Sequence, residues 1–310
     1  MASCDCGTGL KNTGISVCAK PMGVYQKAFF VETYDSTGAK NKYDTSVPLT
    51  QVVLDALLNN ADTSKRWYPT SQALENVGGE RADNVVETAP SGRIYYIKDG
   101  IRTQSFELVG FPAKYIEAYE SNRCVTLSVF YVDSDGNLIG GAESGTILYP
   151  KNIDAKSIQI KDVKMTDTTM AKIVMSFNYA ISEKESYESY IESSAITADL
   201  LNASGLVDVS IEAVTTGQTS MTFKLVTNYG SVGNKIKDKG LLSANFVSTV
   251  GAVASKLRNV TTSADVAITA LTESAGVYTL TYTSQTIGNV LTITPLANGR
   301  SYTAKNVTVA

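Results

Sequence analysis

Histidine is absent from all 310 residues of this chain. A Ser-His-Asp or Cys-His nucleophile system needs an imidazole to accept the proton, so the chain cannot assemble one by itself. A zinc site with imidazole ligands is excluded for the same reason. Acid–base work near neutral pH would fall to a shifted carboxylate, lysine, tyrosine or cysteine. Long apolar runs are missing too: none reaches the ~18 residues of a membrane-spanning helix. The opening MASCDCGTGLKNTG lacks a basic segment followed by an apolar one. No secretory signal is therefore expected, and folding in a cytoplasm is. Cysteine is scarce: Cys4, Cys6, Cys18 and Cys124 are all there is. A C-x-C pair with a third thiol twelve positions on fits no standard zinc spacing. In a reducing compartment these read as free or buried thiols, with a closed four-thiolate site as the alternative.

Catalytic motifs are lacking as well. Gly78-Gly79 and Gly140-Gly141 are not followed by the Lys-Ser/Thr of a phosphate loop. Ser134-Asp135-Gly136 is not a nucleophile elbow. Asp133-Ser134-Asp135-Gly136 starts like a calcium loop but has no downstream glutamate in register, so it reads as a hairpin turn. The carboxylate pairs Glu183/Glu185 and Asp133/Asp135 fall in polar, turn-rich stretches where solvation accounts for them. The expectation is a protein that is not an enzyme and has no cofactor or resident metal.

What is present is β pattern. Residues 84–110, NVVETAPSGRIYYIKDGIRTQSFELVG, read as a meander. Val85, Val86, Ile94, Tyr95, Tyr96 and Ile97 suit a pleated surface. Ala89-Pro90-Ser91-Gly92 and Lys98-Asp99-Gly100 are turn signals. Beyond them Gln104, Phe106 and Leu108 alternate with Thr103, Ser105 and Glu107. A meander of this kind has edges that must be covered or paired.

Before it, GVYQKAFFVETY predicts a strand, and 35–46 a polar loop. A helix is expected through LTQVVLDALLNNA, with Pro48 near its start and Thr45 or Ser46 as cap. Its apolar face would be Leu49, Val52, Val53, Ala56 and Leu57. Lys65-Arg66-Trp67-Tyr68-Pro69 is too short for a nucleic-acid surface and reads as an aromatic anchor in a packed loop. After the meander, 111–123 predicts a short helix with Tyr115, Ile116 and Tyr119 on one face. CVTLSVFYV, the acidic turn and NLIGG predict a hairpin. TILYP and SIQIKDVKM predict short strands. In 168–181, Ala171, Ile173, Met175 and Phe177 alternate with Lys172, Val174, Ser176 and Asn178. Residues 182–197 turn acidic and read as a linker or a short exposed helix.

From 199 the composition shifts to Thr, Ser and Val. About seven short strands with glycine-containing turns, such as Asn228-Tyr229-Gly230 and Asn298-Gly299, predict a cysteine-free immunoglobulin-like sandwich. The expected organisation is an arm at 1–22, a β domain at 23–198 and a sandwich at 199–310. Residues 1–199 carry 19 Lys+Arg against 25 Asp+Glu, net −6; residues 200–310 carry 8 against 5, net +3; together they give the chain's −3. Neither part is a polybasic nucleic-acid binder. A mildly acidic part suits a wall past which DNA slides without sticking.

The passages ERADNVVETAPSGRIYYIKDGIRTQSFELVG and CVTLSVFYVDSDGNLIG, joined by a helix, resemble the tail tube proteins of tailed bacteriophages, in particular phages of Bacteroidetes-type bacteria. The resemblance spans about 20–182 and is one of pattern. It implies a small β-barrel or sandwich that assembles with copies of itself into rings, usually hexameric. The rings would stack into a tube through which DNA leaves the capsid without specific binding. Sheets of neighbouring subunits would join into an inner barrel, while loops and termini bind the next ring and other tail or virion proteins. The implied location is the virion tail, made in the host cytoplasm, with no membrane span. Gln104, Glu107 and Asp99 are candidates for the lumen, and 1–22, 35–46 and 62–81 for segments that order on assembly. Two other readings stay open: a capsid decoration or head-fibre protein, and a cell-surface carbohydrate-binding adhesin.

Overall fold

In the computed structural model, which describes residues 23–310 apart from 72, 112–114, 185–186, 232–233, 243–248, 251–252, 255–256 and 296–298, YQKAFFVE forms strand β1, Tyr25–Glu32. Successive side chains of a strand point to opposite faces. Here both faces are covered: Ala28 and Phe30 enter one core, Phe29 and Val31 a second. The chain then makes β2 (Tyr43–Asp44), helix α1 (Gln51–Leu58) and β3 (Tyr68–Pro69). The cap of α1 is Thr50, whose hydroxyl accepts from the Val53 N–H at 3.4 Å, and neither Thr45 nor Ser46 serves. That start point sets the helical phase. Leu54 and Leu58 turn inward with Val53 and Leu57 beside them, while Val52 is 78% exposed. The expected face was therefore rotated; Leu49 packs from the extended segment ahead of the helix.

Next come β4 (Glu75–Arg81), β5 (Val85–Thr88), β6 (Ile94–Lys98) and β7 (Arg102–Val109). The expected continuous meander is broken. β5 and β6 pair with each other and with no further strand among the described residues, while β7 lies between β4 and β14 (Lys172–Asn178). The cause is the patterning. Gln104, Phe106 and Leu108 of β7 and Ile173, Met175 and Phe177 of β14 give each strand one buried face. The β5–β6 pair has apolar residues on both faces, and these stay exposed among the described residues.

Helix α2 (Tyr115–Glu120) follows, with Tyr119 buried and Tyr115 and Ile116 packed beside it. The predicted hairpin is β8 (Leu127–Asp133) and β9 (Leu138–Gly140). Gly136 takes a positive φ of 81° in its turn, a conformation that favours glycine. Short strands β10 (Ala142–Ser144), β11 (Ile147–Tyr149) and β12 (Lys151–Asn152) lead to β13 (Gln159–Val163) and β14. Within 182–197, among the described residues, β15 (Ser189–Ile191) pairs with β9 and adds an edge to the sheet, so the segment is no free linker, while Ser193–Ala195 makes one short exposed 3-10 turn.

The large sheet runs β15-β9-β8-β1-β3, with β12 also on β8. It packs on one side against the sheet β13-β14-β7-β4. Its other side packs under α1 and Trp67, with Leu200 and Ala203 completing that second core. Trp67 is 3% exposed, with Phe130 at 4.9 Å and Phe29 at 5.6 Å between ring centroids. The predicted aromatic anchor holds its own core together.

The C-terminal part is a second β sandwich. Ile268–Ser274, Val277–Tyr282, Ser220–Ser231, Val207–Thr216 and Arg300–Tyr302 form one sheet in that order. Ala264–Asp265, Leu257–Asn259, Val290–Ile293 and Lys305–Thr308 form another. Both feed one core around Phe223, Leu225, Tyr278, Leu280, Leu291 and Ile293. Asn228 and Tyr229, expected in a turn, continue the Ser220–Ser231 strand.

Candidate functional site

Two features at one end of the first sandwich stand out: the β5–β6 hairpin and a buried polar cluster below it. On the hairpin, Val85, Val86, Ile94, Tyr95, Tyr96 and Ile97 are 41–68% exposed. Antiparallel register sets Val86 opposite Tyr96 and Thr88 opposite Ile94 on one face, and Glu87 opposite Tyr95 on the other. An isolated two-stranded hairpin is marginal in water. Covering a half-exposed side chain of this size would gain ~1 kcal/mol each.

The base of the hairpin is fastened. Arg81 bonds Asp99 at 2.6 Å and the Asn84 side chain at 3.0 Å, and the Gly100 N–H donates to that same Asn84 oxygen at 3.1 Å. A Cβ on Gly100 would lie 1.7 Å from the Ala82 carbonyl oxygen, so only glycine fits the strap. The root of the hairpin is thus held in place while its apolar side chains stay exposed.

Below the root, Lys151 of β12 donates to Glu188 at 2.6 Å and to the Tyr25 hydroxyl at 3.1 Å, and Tyr25 donates to Glu188 at 2.6 Å. The ammonium sits 5.3–5.6 Å from the ring centroids of Tyr25, Tyr131 and Tyr179, a cation–π arrangement. Tyr131 and Tyr179 hydroxyls are 3.0 Å apart, and the Tyr179 hydroxyl donates to the Gln104 side-chain oxygen Oε1 at 3.3 Å. Burial, and then the Glu188 carboxylate, push the Tyr25 phenol far above its usual range. Burial does the same to Tyr131 and Tyr179. Burial draws the Lys151 ammonium down, with Glu188 opposing. Chemically this is a clamp: the ammonium is matched by its carboxylate, and the phenols hold their protons. It ties β1, β8, β12, β14 and the Glu188 segment together. Clefts of about 170 and 370 Å³ open beside it, sharing Arg81, Arg102, Tyr179, Glu183 and Lys184.

The sequence-derived candidates scatter. Glu107 is on the non-core face of its sheet, paired with Lys172 at 2.7 Å. Lys172 first, against the cost of burial, holds the Glu107 carboxyl below its usual range. Gln104 is 6% exposed and points into the core, donating to the Gly78 carbonyl at 2.9 Å, so it cannot line a lumen. Asp99 is spent on the hairpin strap. Asp133 is fully buried; burial raises its carboxyl, but N–H groups of Asn137, Gly23 and Asp135 outweigh this and hold it low. That makes its turn a structural one. In loop 35–46 the Asp35 carboxylate accepts from Thr37 and Ala39, and in 62–71 Trp67 is buried. Cys124 is exposed. Cys4, Cys6, Cys18 and the rest of 1–22 lie outside the described residues. Among the described residues no group of three His, Cys, Asp or Glu could hold a metal, and no helix is long and apolar enough to cross a membrane.

Lys151 and Glu188 were missed in the sequence. Their signal was a lysine opening a strand and a glutamate between tyrosines, which is indistinguishable from surface patterning. Neither a protein-family model nor a curated protein matches the chain.

Proposed function

We propose that this chain is a structural subunit of a phage-type tail tube, which assembles with copies of itself into stacked rings around a channel for DNA. The observation that carries this reading is the β13-β14-β7-β4 sheet. Among the described residues it is packed on one face only, and its two borders pair with no further strand. Its non-core face is mostly polar: Thr103, Ser105, Ser176 and Asn178 occupy the middle strands, with Val109 and Val174 among them. Lys161 and Lys172 there are offset by Glu75, Glu80 and Glu107. A wall of this kind offers DNA no basic surplus to bind. The borders differ in sign. β4 carries Glu75 and Glu80, with Arg81 neutralised by Asp99. β13 carries Lys161 and is flanked by Lys156, with Asp162 taken by Lys164. Joining β13 of one copy to β4 of the next is a head-to-tail contact, the kind that closes into a ring. Six subunits per ring, a place in the virion tail, and contacts with other virion proteins come with the family resemblance.

A second reading has its own support. The second sandwich has a core sharing no residue with the first, which suits a display module on a capsid decoration or head-fibre protein. Negative-stain microscopy of the purified full chain separates the two. Rings or tubes of constant diameter are the expected result. Isolated particles at every concentration would overturn the tube reading.

A further inference from the structure

The hairpin and a largely apolar cleft sit at opposite ends of the first sandwich. The hairpin is rooted at Arg81 and Arg102, beside Tyr25 at the start of β1. The cleft, about 370 Å³, lies between the sandwiches at the other end, beside Glu32 at the finish of β1. It is lined by Tyr68, Tyr115, Tyr119 and Tyr229, with Tyr115 and Tyr229 rings 6.1 Å apart. At ~3.3 Å per residue, the seven steps from Tyr25 to Glu32 separate the two ends by ~23 Å. In this structure no residue of the hairpin lines the cleft of its own subunit, and its side chains stay exposed. Size and charge match across copies. The cleft has room for one or two aromatic or branched side chains, and the hairpin presents Tyr95 and Ile97. The cleft rim carries Glu32, Asp208 and Arg66; the hairpin carries Arg93, Lys98 and Glu87. Two acids and a base thus meet two bases and an acid.

We infer that the β5–β6 hairpin of one subunit docks in the inter-sandwich cleft of a second copy. This deepens the tube reading and rests on it: β-sheet borders make the ring, and hairpin-to-cleft contacts run from one ring to the next. A contact between different surfaces at opposite ends repeats without closing, as stacking requires.

The test uses the full chain and two charge-reversed proteins. One carries Arg93→Glu with Lys98→Glu on the hairpin, the other Glu32→Lys with Asp208→Lys at the cleft. Each alone is expected to form single rings but no tubes. Mixing them restores opposite charges at every junction between unlike variants, and tubes are expected to return. If each variant alone forms tubes like the unaltered chain, or if the mixture of two folded variants forms none, the docking is wrong. A benzophenone amino acid in place of Tyr95 gives an independent readout. Cross-links to peptides bearing Tyr68, Tyr115 or Tyr229 of another copy are expected; cross-links confined to other surfaces would overturn the pairing. Failure of the unaltered chain to assemble at all sinks the tube reading itself and is thereby told apart.

Discussion

Strands β8 and β6 contain nearly the same four side chains, VFYV at 129–132 and IYYI at 94–97, and meet opposite fates. In β8 all four are at most 1% exposed, covered by a sheet on one side and a helix on the other. In β6 all four are at least 46% exposed. A run that is apolar on both faces asks to be covered on both faces. The composition of the run does not say which chain does the covering. For β8 the cover lies in the same molecule. For β6 we propose that a copy supplies it.

Breaking β8 should be the most costly test of that contrast. Phe130→Ala, next to Trp67, is expected to lower stability by ~3–5 kcal/mol, read as a drop in denaturation midpoint. The clamp ranks second. Glu188→Gln leaves Lys151 largely buried without its countercharge. The expected loss is about 2 kcal/mol, below the figure for a fully buried pair because both partners keep some solvent contact. The same cluster sets the alkaline limit. Tyr25, Tyr131 and Tyr179 have raised phenols, so their contribution is full below the unfolded value of 10.0 and is lost as pH rises above it. Lys151, lowered, works the other way, gaining up to its unfolded 10.5, but it is one group against three. Thermal melts should fall steadily above about pH 10, and a flat profile to about pH 11 would contradict the buried phenols. Smallest for the lone subunit is the hairpin. Ile97→Ala and Tyr95→Ala should each change monomer stability by less than ~0.5 kcal/mol while weakening assembly, so that the melting temperature holds while the light-scattering signal falls.

The sequence was most legible where a strand has one wet and one dry face. The alternation of Phe106 and Leu108 in β7, and of Ile173, Met175 and Phe177 in β14, marked both strands and their inward sides correctly. The hairpin turn at Gly136 and the Tyr115–Tyr119 face of α2 were equally readable. Legibility ended where local signal yields to tertiary contact. Helix α1 starts at a cap one turn later than Pro48 suggests, which turns Val52 out and Leu54 in. Residues 189–191 have no strand signature; they pair because Glu188 is held by Lys151 and Tyr25, some 37 and 163 positions away in the chain. Gln104 has the composition of a lumen residue but sits on the dry side of its own alternation. That the hairpin's apolar side chains are exposed, the fact on which the proposed docking turns, was not legible at all.

Hydrogen–deuterium exchange across residues 85–98 tests the central claim most directly, comparing a dilute sample with a concentrated, assembled one. Hairpin amides are predicted to exchange within seconds in the lone subunit and to be strongly protected after assembly, with β8 protected in both. Hairpin amides equally protected at every dilution, or equally unprotected in assembled material, would contradict it.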